Sequence, residues 1–144
     1  MKLPTPEPGL VIRYSYLWAR EHKAGRDEGT KDRPCAIVLA AYGENKDQVL
    51  VVPITHVPPE DADGALELPQ DVKRLLHLDD ERSWVVLSES NLFRWPGPDL
   101  RPSGKGLQTS IVYGLLPPKI FAKLRQRFLS LEGQRKTMTV QRSE

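Results

Sequence analysis

Three residues that could handle a phosphate ester stand at the ends of two apolar, strand-like runs. Arg33 opens the run at 33–41, and Thr55 and His56 come at the end of the run at 48–55. If the two runs pair as antiparallel strands, these ends lie at the same edge of a sheet. A guanidinium can bind two phosphate oxygens, a hydroxyl can donate a hydrogen bond, and an imidazole can transfer protons. We therefore expect a site for a phosphodiester, with nucleic acid as the first candidate ligand.

The composition is that of one globular domain. The chain has 144 residues, of which 39% are hydrophobic and 28% charged, and its net charge is +2. This length allows one domain with a sizeable core but is short for two. No apolar run approaches the ~20 residues of a membrane helix, and the N-terminus lacks the apolar segment of a secretory signal. We expect a cytoplasmic protein that does not associate with a membrane.

Neither a disulfide nor a metal site is expected. Cys35 is the only cysteine, which excludes an intramolecular disulfide and a cysteine-rich metal site. Its place in an apolar run is typical of a buried, unreactive thiol. The three histidines show no i, i+3 or i+4 spacing, so they do not form a metal-binding pattern on a helix. We therefore expect no metal and no cofactor.

The hydrophobic pattern predicts short strands, Gly/Pro turns and two helices, arranged as a small bent sheet or barrel with helical appendages. Pro53 inside the third strand predicts an edge position or a bulge. In the helix predicted at 69–76, Val72, Leu75 and Leu76 form the apolar face. Strands are predicted at 9–18, 33–41, 48–55, 65–68, 83–88 and 109–113, loops at 19–32 and 94–99, and a second helix at 118–131 that Gly133 closes. Residues 1–8 form an extended lead-in, 9–132 the domain, and 133–144 a flexible tail.

Two segments, Asp32–Ala40 and Val51–Thr55, together resemble the MazF/PemK/Kid toxins of type II toxin–antitoxin modules. The resemblance extends over roughly residues 8–131. It implies that 9–132 is a toxin domain, mainly β, with an SH3-like small barrel of the MazF/PemK/CcdB type and a C-terminal helix. It also implies a homodimer that cleaves single-stranded RNA without metal, to 2′,3′-cyclic phosphate and 5′-hydroxyl ends. A cognate antitoxin would cover the substrate groove.

The resemblance also suggests catalytic roles for residues at the family's motif positions. Arg33 corresponds to the arginine of the family's Arg-Pro pair, which stabilises charge on the phosphate. Thr55 corresponds to the threonine or serine that closes the third strand. The acid of the preceding loop is Glu28 if the loop is aligned on Arg33, and Asp27 if it is aligned on Gly25. We prefer Glu28 as the general base.

A further group of side chains is predicted to bind the RNA. Trp95 could stack on an unpaired base, with Lys31 and Arg94 along the sugar–phosphate backbone. Several relatives carry a basic and an acidic residue near the end of a later strand; here the acid survives as Glu89 and the basic position reads Leu87. The predicted substrate-binding set is Lys31, His56, Glu89, Asn91, Arg94 and Trp95.

The sequence leaves two other functions open. The chain could be a non-catalytic toxin of the same fold that binds a protein target, as CcdB-type relatives act on DNA gyrase. It could also be an inactive nucleic-acid-binding module. Arg33→Ala would abolish cleavage by a nuclease but would only weaken binding by such a module, where a phosphate contact is one of several.

Overall fold

Over the residues that the structure describes, the fold consists of eight strands and three α-helices. A computed structural model describes residues 4–27, 29, 31–42, 47–97, 99–100 and 111–142. Among these, no helix combines the length and the apolar character needed to cross a membrane. The strands are β1 (Leu10–Tyr14), β2 (Arg33–Ala41), β3 (Asp47–Thr55), β4 (Ala65–Glu67), β5 (Trp84–Val86), β6 (Glu89–Trp95), β7 (Val112–Leu115) and β8 (Met138–Gln141), and the helices are α1 (Ala19–Lys23), α2 (Gln70–Leu75) and α3 (Pro118–Gly133).

Strand β3 is the centre of the sheet. Along one side it pairs antiparallel with β2, and along the other it pairs first with β6, through 47–51, and then with β5, through 54–55. Pro53 lies in the interval between the last two pairings. On the side of β5 and β6, Pro53 therefore has no paired residue, which suits a proline because it has no N–H to donate. The edge position allowed by the sequence is wrong, because β3 has neighbours on both sides.

The sheet is open over the described residues. Its strand order is β4–β5–β3–β2–β1–β7, and β6 joins β3 to β8. The pairings are antiparallel except that of β6 with β8, which is parallel. The chain is thus mainly β, as the sequence predicts, with an eight-stranded sheet that is not closed.

Both faces of the sheet are covered, which explains the continuous apolar runs. On β2, Ala36 and Val38 belong to one buried cluster, which includes Phe128 of α3, whereas Cys35 and Ile37 belong to another. Successive side chains of a strand point to opposite faces, so a strand covered on both faces is apolar at every position. The prediction of a buried Cys35 thiol is confirmed, and burial raises its pKa, which keeps it protonated.

Three segments differ from the sequence predictions. Helix α1 lies within the predicted loop at 19–32, and β6 is a separate strand that the sequence does not predict, which follows the predicted strand at 83–88 and extends into the predicted loop at 94–99. The prediction of a flexible tail over 133–144 is wrong for residues 138–141, which form β8 and pair with the edge of β6. The residues outside the described ranges, which include parts of several predicted segments, are 1–3, 28, 30, 43–46, 98, 101–110 and 143–144.

Helix α2 buries a lysine where the sequence predicts a leucine. Val72 and Leu76 are buried as predicted, but Leu75 is 60% exposed and Lys73 is fully buried. Residues 72, 73 and 76 share a helix face as well as 72, 75 and 76 do, so periodicity alone cannot choose between the two faces. The assignment of Leu75 to the apolar face is wrong.

Candidate functional site

A groove of about 790 Å³ brings Arg33, Thr55 and His56 together with Lys31. The register of β2 and β3 explains why. Cys35 pairs with Pro53, so the same register carried two residues further sets Arg33 against Thr55. The structure therefore gathers into one groove four of the residues that the sequence predicts to be functional.

The Arg33 guanidinium is the most unusual group in this groove. It is half-buried, and its Cζ lies 5.0 Å from the centre of the Trp18 ring. The Cζ of Arg20 lies 4.8 Å from the same ring. Within the described part of the chain, nothing accepts a hydrogen bond from the buried Nε of Arg33. Burial lowers the pKa of Arg33 because it removes water from the charged form; a bound anion would replace that lost hydration.

Acidic side chains also line the groove, but two of them have basic partners. Lys73 Nζ lies 2.8 Å from Asp79 Oδ1, and Arg13 Nε lies 3.8 Å from Asp32 Oδ2. These partners reduce the repulsion that an incoming phosphate would meet. The basic residues of the groove are Arg20, Lys31, Arg33 and Lys136, and the acidic ones are Asp32, Glu60, Asp61 and Asp79.

Thr55 and His56 present different chemistry to the groove. Thr55 Oγ1 accepts a hydrogen bond from the Val57 amide at 3.2 Å. This contact leaves the hydroxyl hydrogen for a ligand. His56, Asp79 and Glu81 are exposed and offer ligand atoms within 4.8 Å of one another. They are the group in the described residues that could hold a metal ion, and the sequence does not reveal it because His56 lies on a different segment.

Asn91 holds the segment that carries Trp18, which corrects its predicted role in substrate binding. Its side chain is fully buried. Its Oδ1 accepts from the Leu17 amide at 2.9 Å and from Arg142 Nη1 at 3.2 Å, and its Nδ2 donates to the Leu17 carbonyl at 2.8 Å. Because the amide bonds to the protein on both sides, it has no free group to offer to RNA.

Glu89 holds the same segment from the next inward-facing position of β6. Its Oε1 accepts hydrogen bonds from the Ala19 amide at 2.9 Å and from the Tyr16 hydroxyl at 3.1 Å. Burial raises the pKa of Glu89, although these two hydrogen bonds oppose the shift. Its contacts are therefore those of a residue that anchors the start of α1, whereas the sequence predicts contact with substrate.

Glu89→Gln is expected to stabilise the protein at pH 7. A glutamate whose pKa is raised in the folded state costs stability above the pKa of the unfolded chain, because folding then buries a charge. Glutamine keeps the accepting oxygen without that charge. Urea unfolding should show a higher free energy of unfolding for the variant at neutral pH, with the difference shrinking as the pH falls below the ordinary glutamate range. A variant less stable than wild type at pH 7 would contradict this account.

Trp95 and Arg94 lie apart from the groove. Trp95 is 6% exposed and its ring centre lies 6.2 Å from that of Phe93, within the core; its predicted stacking on bases is wrong. Arg94 is exposed and pairs with Gln48. Gln48 precedes Thr55 by seven residues (55 − 48 = 7) on β3, a distance of about 23 Å along the strand. Arg94 is therefore not part of the Arg33 site.

The predicted general base cannot be placed. Glu28 lies outside the described residues. The alternative, Asp27, is exposed, and its carbonyl oxygen lies 3.5 Å from Arg142 Nη2. Neither residue contributes to the described geometry of the groove.

Sequence reasoning missed Trp18, Asp79 and Lys73. The pattern places Trp18 in the core, yet its ring also supports Arg33. A lysine beside Val72 was a signal, since a charged residue next to an apolar stripe needs a partner.

Comparison with known proteins found no matching family model, no matching curated protein and no matching solved structure.

Proposed function

We propose that this chain is the toxin of a type II toxin–antitoxin module and that it cleaves single-stranded RNA beside Arg33 without a metal ion. The observation that carries the proposal is the state of the Arg33 guanidinium, which is half-buried against Trp18 with its Nε unpartnered among the described residues. Such a group favours an anion more than a fully hydrated arginine does, because part of its hydration is already lost before the ligand binds.

The groove supplies two groups that stabilise the phosphate during cleavage. Arg33 stabilises the charge that grows on the phosphate, and the hydroxyl of Thr55 donates a hydrogen bond to a phosphate oxygen. Arg20 and Lys31 lie in the same groove, where they hold the flanking backbone. Cleavage also requires a proton acceptor for the 2′-hydroxyl and a proton donor for the leaving 5′-oxygen. The products are a 2′,3′-cyclic phosphate and a 5′-hydroxyl.

The finer fold and the partners belong to the same proposal. A largely antiparallel sheet built around β3, together with the long C-terminal helix α3, supports the proposal of an SH3-like small barrel of the MazF/PemK/CcdB type, although the described part of the sheet is not closed. A toxin of this kind acts in the cytoplasm as a homodimer. Its antitoxin would occupy the groove and compete with RNA for Arg33.

Discrete cuts in a long, largely unpaired RNA, made in the presence of EDTA, are the expected result with purified protein. The new 5′ ends should accept a ligated adaptor only after treatment with a polynucleotide kinase, because they carry hydroxyl groups. Arg33→Ala, purified in parallel, controls for a contaminating nuclease. The cut positions give the sequence preference directly.

Intact RNA with folded wild-type protein would overturn the proposal for the substrates tried. Binding without cleavage would support the nucleic-acid-binding module, and loss of both would support a toxin directed at a protein such as DNA gyrase. Cuts that disappear in EDTA would contradict the metal-independent mechanism and would direct attention to the His56, Asp79 and Glu81 group.

A further inference from the structure

His56 has a carboxylate partner within the groove. Its Nε2 lies 2.8 Å from Asp79 Oδ2 and 3.1 Å from Asp79 Oδ1. A nitrogen this close to a carboxylate carries a proton and donates it to the hydrogen bond. In the neutral imidazole the other nitrogen, Nδ1, then has the free lone pair and can accept a proton.

A buried lysine fixes the carboxylate of Asp79. Lys73 is fully buried, and its Nζ donates to Asp79 Oδ1 at 2.8 Å and to the Glu81 carbonyl. The Glu81 amide also donates to Asp79 Oδ1, at 3.2 Å. Although burial acts in the opposite direction, the hydrogen bond and the charge of Lys73 hold the pKa of Asp79 below its usual range. The carboxylate is therefore ionised and oriented before any substrate binds.

The same side chains have the spacing of a cation site, but Lys73 favours a different role. Its ammonium already compensates the charge of Asp79, and a divalent cation beside Asp79 would meet that positive charge at short range. The arrangement of an imidazole, a carboxylate and a group that orients the carboxylate is the one used to prepare a histidine for proton transfer.

We propose that His56 is the proton acceptor of this groove, that Asp79 orients its imidazole, and that Lys73 positions Asp79. The inference rests on the proposed function, because the proton in question is that of the RNA 2′-hydroxyl. His56 directly follows Thr55 and lines the groove that contains Arg33. Proton transfer by His56 and phosphate binding by Arg33 and Thr55 thus take place at the same end of β3.

The proposed reaction step involves no metal ion. The 2′-oxygen attacks phosphorus as its proton passes to His56 Nδ1, and the O2′–P bond forms. The P–O5′ bond breaks, and the leaving 5′-oxygen takes a proton from water. His56 then returns its proton to solvent, and the imidazole is ready for another cycle. Arg33 stabilises the extra negative charge on the phosphate throughout.

His56→Ala is expected to lower kcat by about 100- to 10,000-fold, the range typical of a lost general base, with little change in KM. Added imidazole should restore part of the activity, because the free base can enter the space that the side chain leaves. His22→Ala is the matched control: His22 is exposed on α1, and its loss should change neither kcat nor the response to imidazole.

Asp79→Asn tests the positioning role. It should lower kcat less than His56→Ala does, with KM nearly unchanged and without rescue by imidazole. In the His56→Ala/Asp79→Asn double variant the second change should have almost no further effect, since Asp79 acts through His56. Asp79→Asn takes the carboxylate from the buried Lys73 and should lower the melting temperature; circular dichroism and a melting curve therefore set an assay temperature at which the variant is folded.

The outcomes distinguish a failure of the His56 assignment from a failure of the proposed nuclease function. Full activity of His56→Ala, with Arg33→Ala inactive, would overturn the role of His56 and leave the nuclease standing. Loss of activity in folded His56→Ala without rescue, or additive effects in the double variant, would also overturn it. Failure of the wild type to cleave RNA would reject both.

Discussion

Arg33→Ala is expected to lower kcat/KM for RNA cleavage by about 100- to 1,000-fold, the cost of removing a group that stabilises transition-state charge. The variant should keep its fold. Among the described residues the buried Nε makes no hydrogen bond that would be lost, and burial disfavours the charged guanidinium. Arg33 is thus better arranged for binding an anion than for stabilising the protein.

Arg33→Lys sharpens this prediction. Lysine keeps the positive charge but lacks the planar fork that binds two phosphate oxygens and stacks on an aromatic ring such as Trp18. We expect most of the activity to be lost in this variant too. Arg74→Ala removes the same charge from the exposed side of α2 and should cleave like wild type. Kinetics on one defined oligonucleotide, with melting curves for all variants, provide the comparison.

Binding measurements distinguish a nuclease from a simple binding module. If Arg33 contributes only a phosphate contact, Arg33→Ala should reduce the slope of log affinity against log salt by about one. In that case kcat should be unchanged. If Arg33 acts in the reaction, the loss in kcat should exceed the loss in affinity. Equal losses in binding and turnover, or a fully active Arg33→Ala, would contradict its catalytic role.

The strands that build the site could be predicted because both of their faces are buried. Strands β2 and β3 give continuous apolar runs, and the polar residues Arg33 and Thr55 mark where burial ends. Strand β8 could not be predicted in this way. It is held by the edge of β6, for example through Ser90 and Thr139, which are 49 residues apart and whose hydroxyl oxygens lie 3.0 Å apart. Local patterns do not contain such a contact.

The residues of the site could be predicted only in part from the sequence, for a related reason. An amide or an indole fits a substrate site and a buried anchor equally well, so the types of Asn91 and Trp95 did not distinguish the two. Their burial follows from β6, a strand that the sequence pattern does not predict and whose last two residues it assigns to a loop. Similarly, the partnership of Lys73 with Asp79 depends on the turn that follows α2, and periodicity alone does not define that turn.

Arg142→Met is expected to destabilise the protein by about 3–5 kcal/mol, the usual effect of removing one member of a buried ion pair. Arg142 is 6% exposed and Asp99 is 8% exposed, and Arg142 Nη2 lies 3.0 Å from Asp99 Oδ2. Nη1 also donates to the Ser15 carbonyl at 2.7 Å and to the Tyr14 hydroxyl at 3.1 Å. Methionine fills much of the space but satisfies none of these groups. The melting temperature should fall by on the order of 10 °C.

The Asp99→Leu/Arg142→Met double variant should recover part of that loss, since the buried carboxylate is then removed together with the arginine that faced it. The double-mutant cycle measures this coupling directly. Arg125→Met, on the exposed side of α3, should change stability by no more than about 0.5 kcal/mol. A wild-type melting curve for Arg142→Met would mean that the C-terminal segment does not dock on β6. Because Arg142 and Asn91 together hold the chain that leads to Trp18, docking of this segment also supports Arg33, the arginine to which we assign the proposed cleavage.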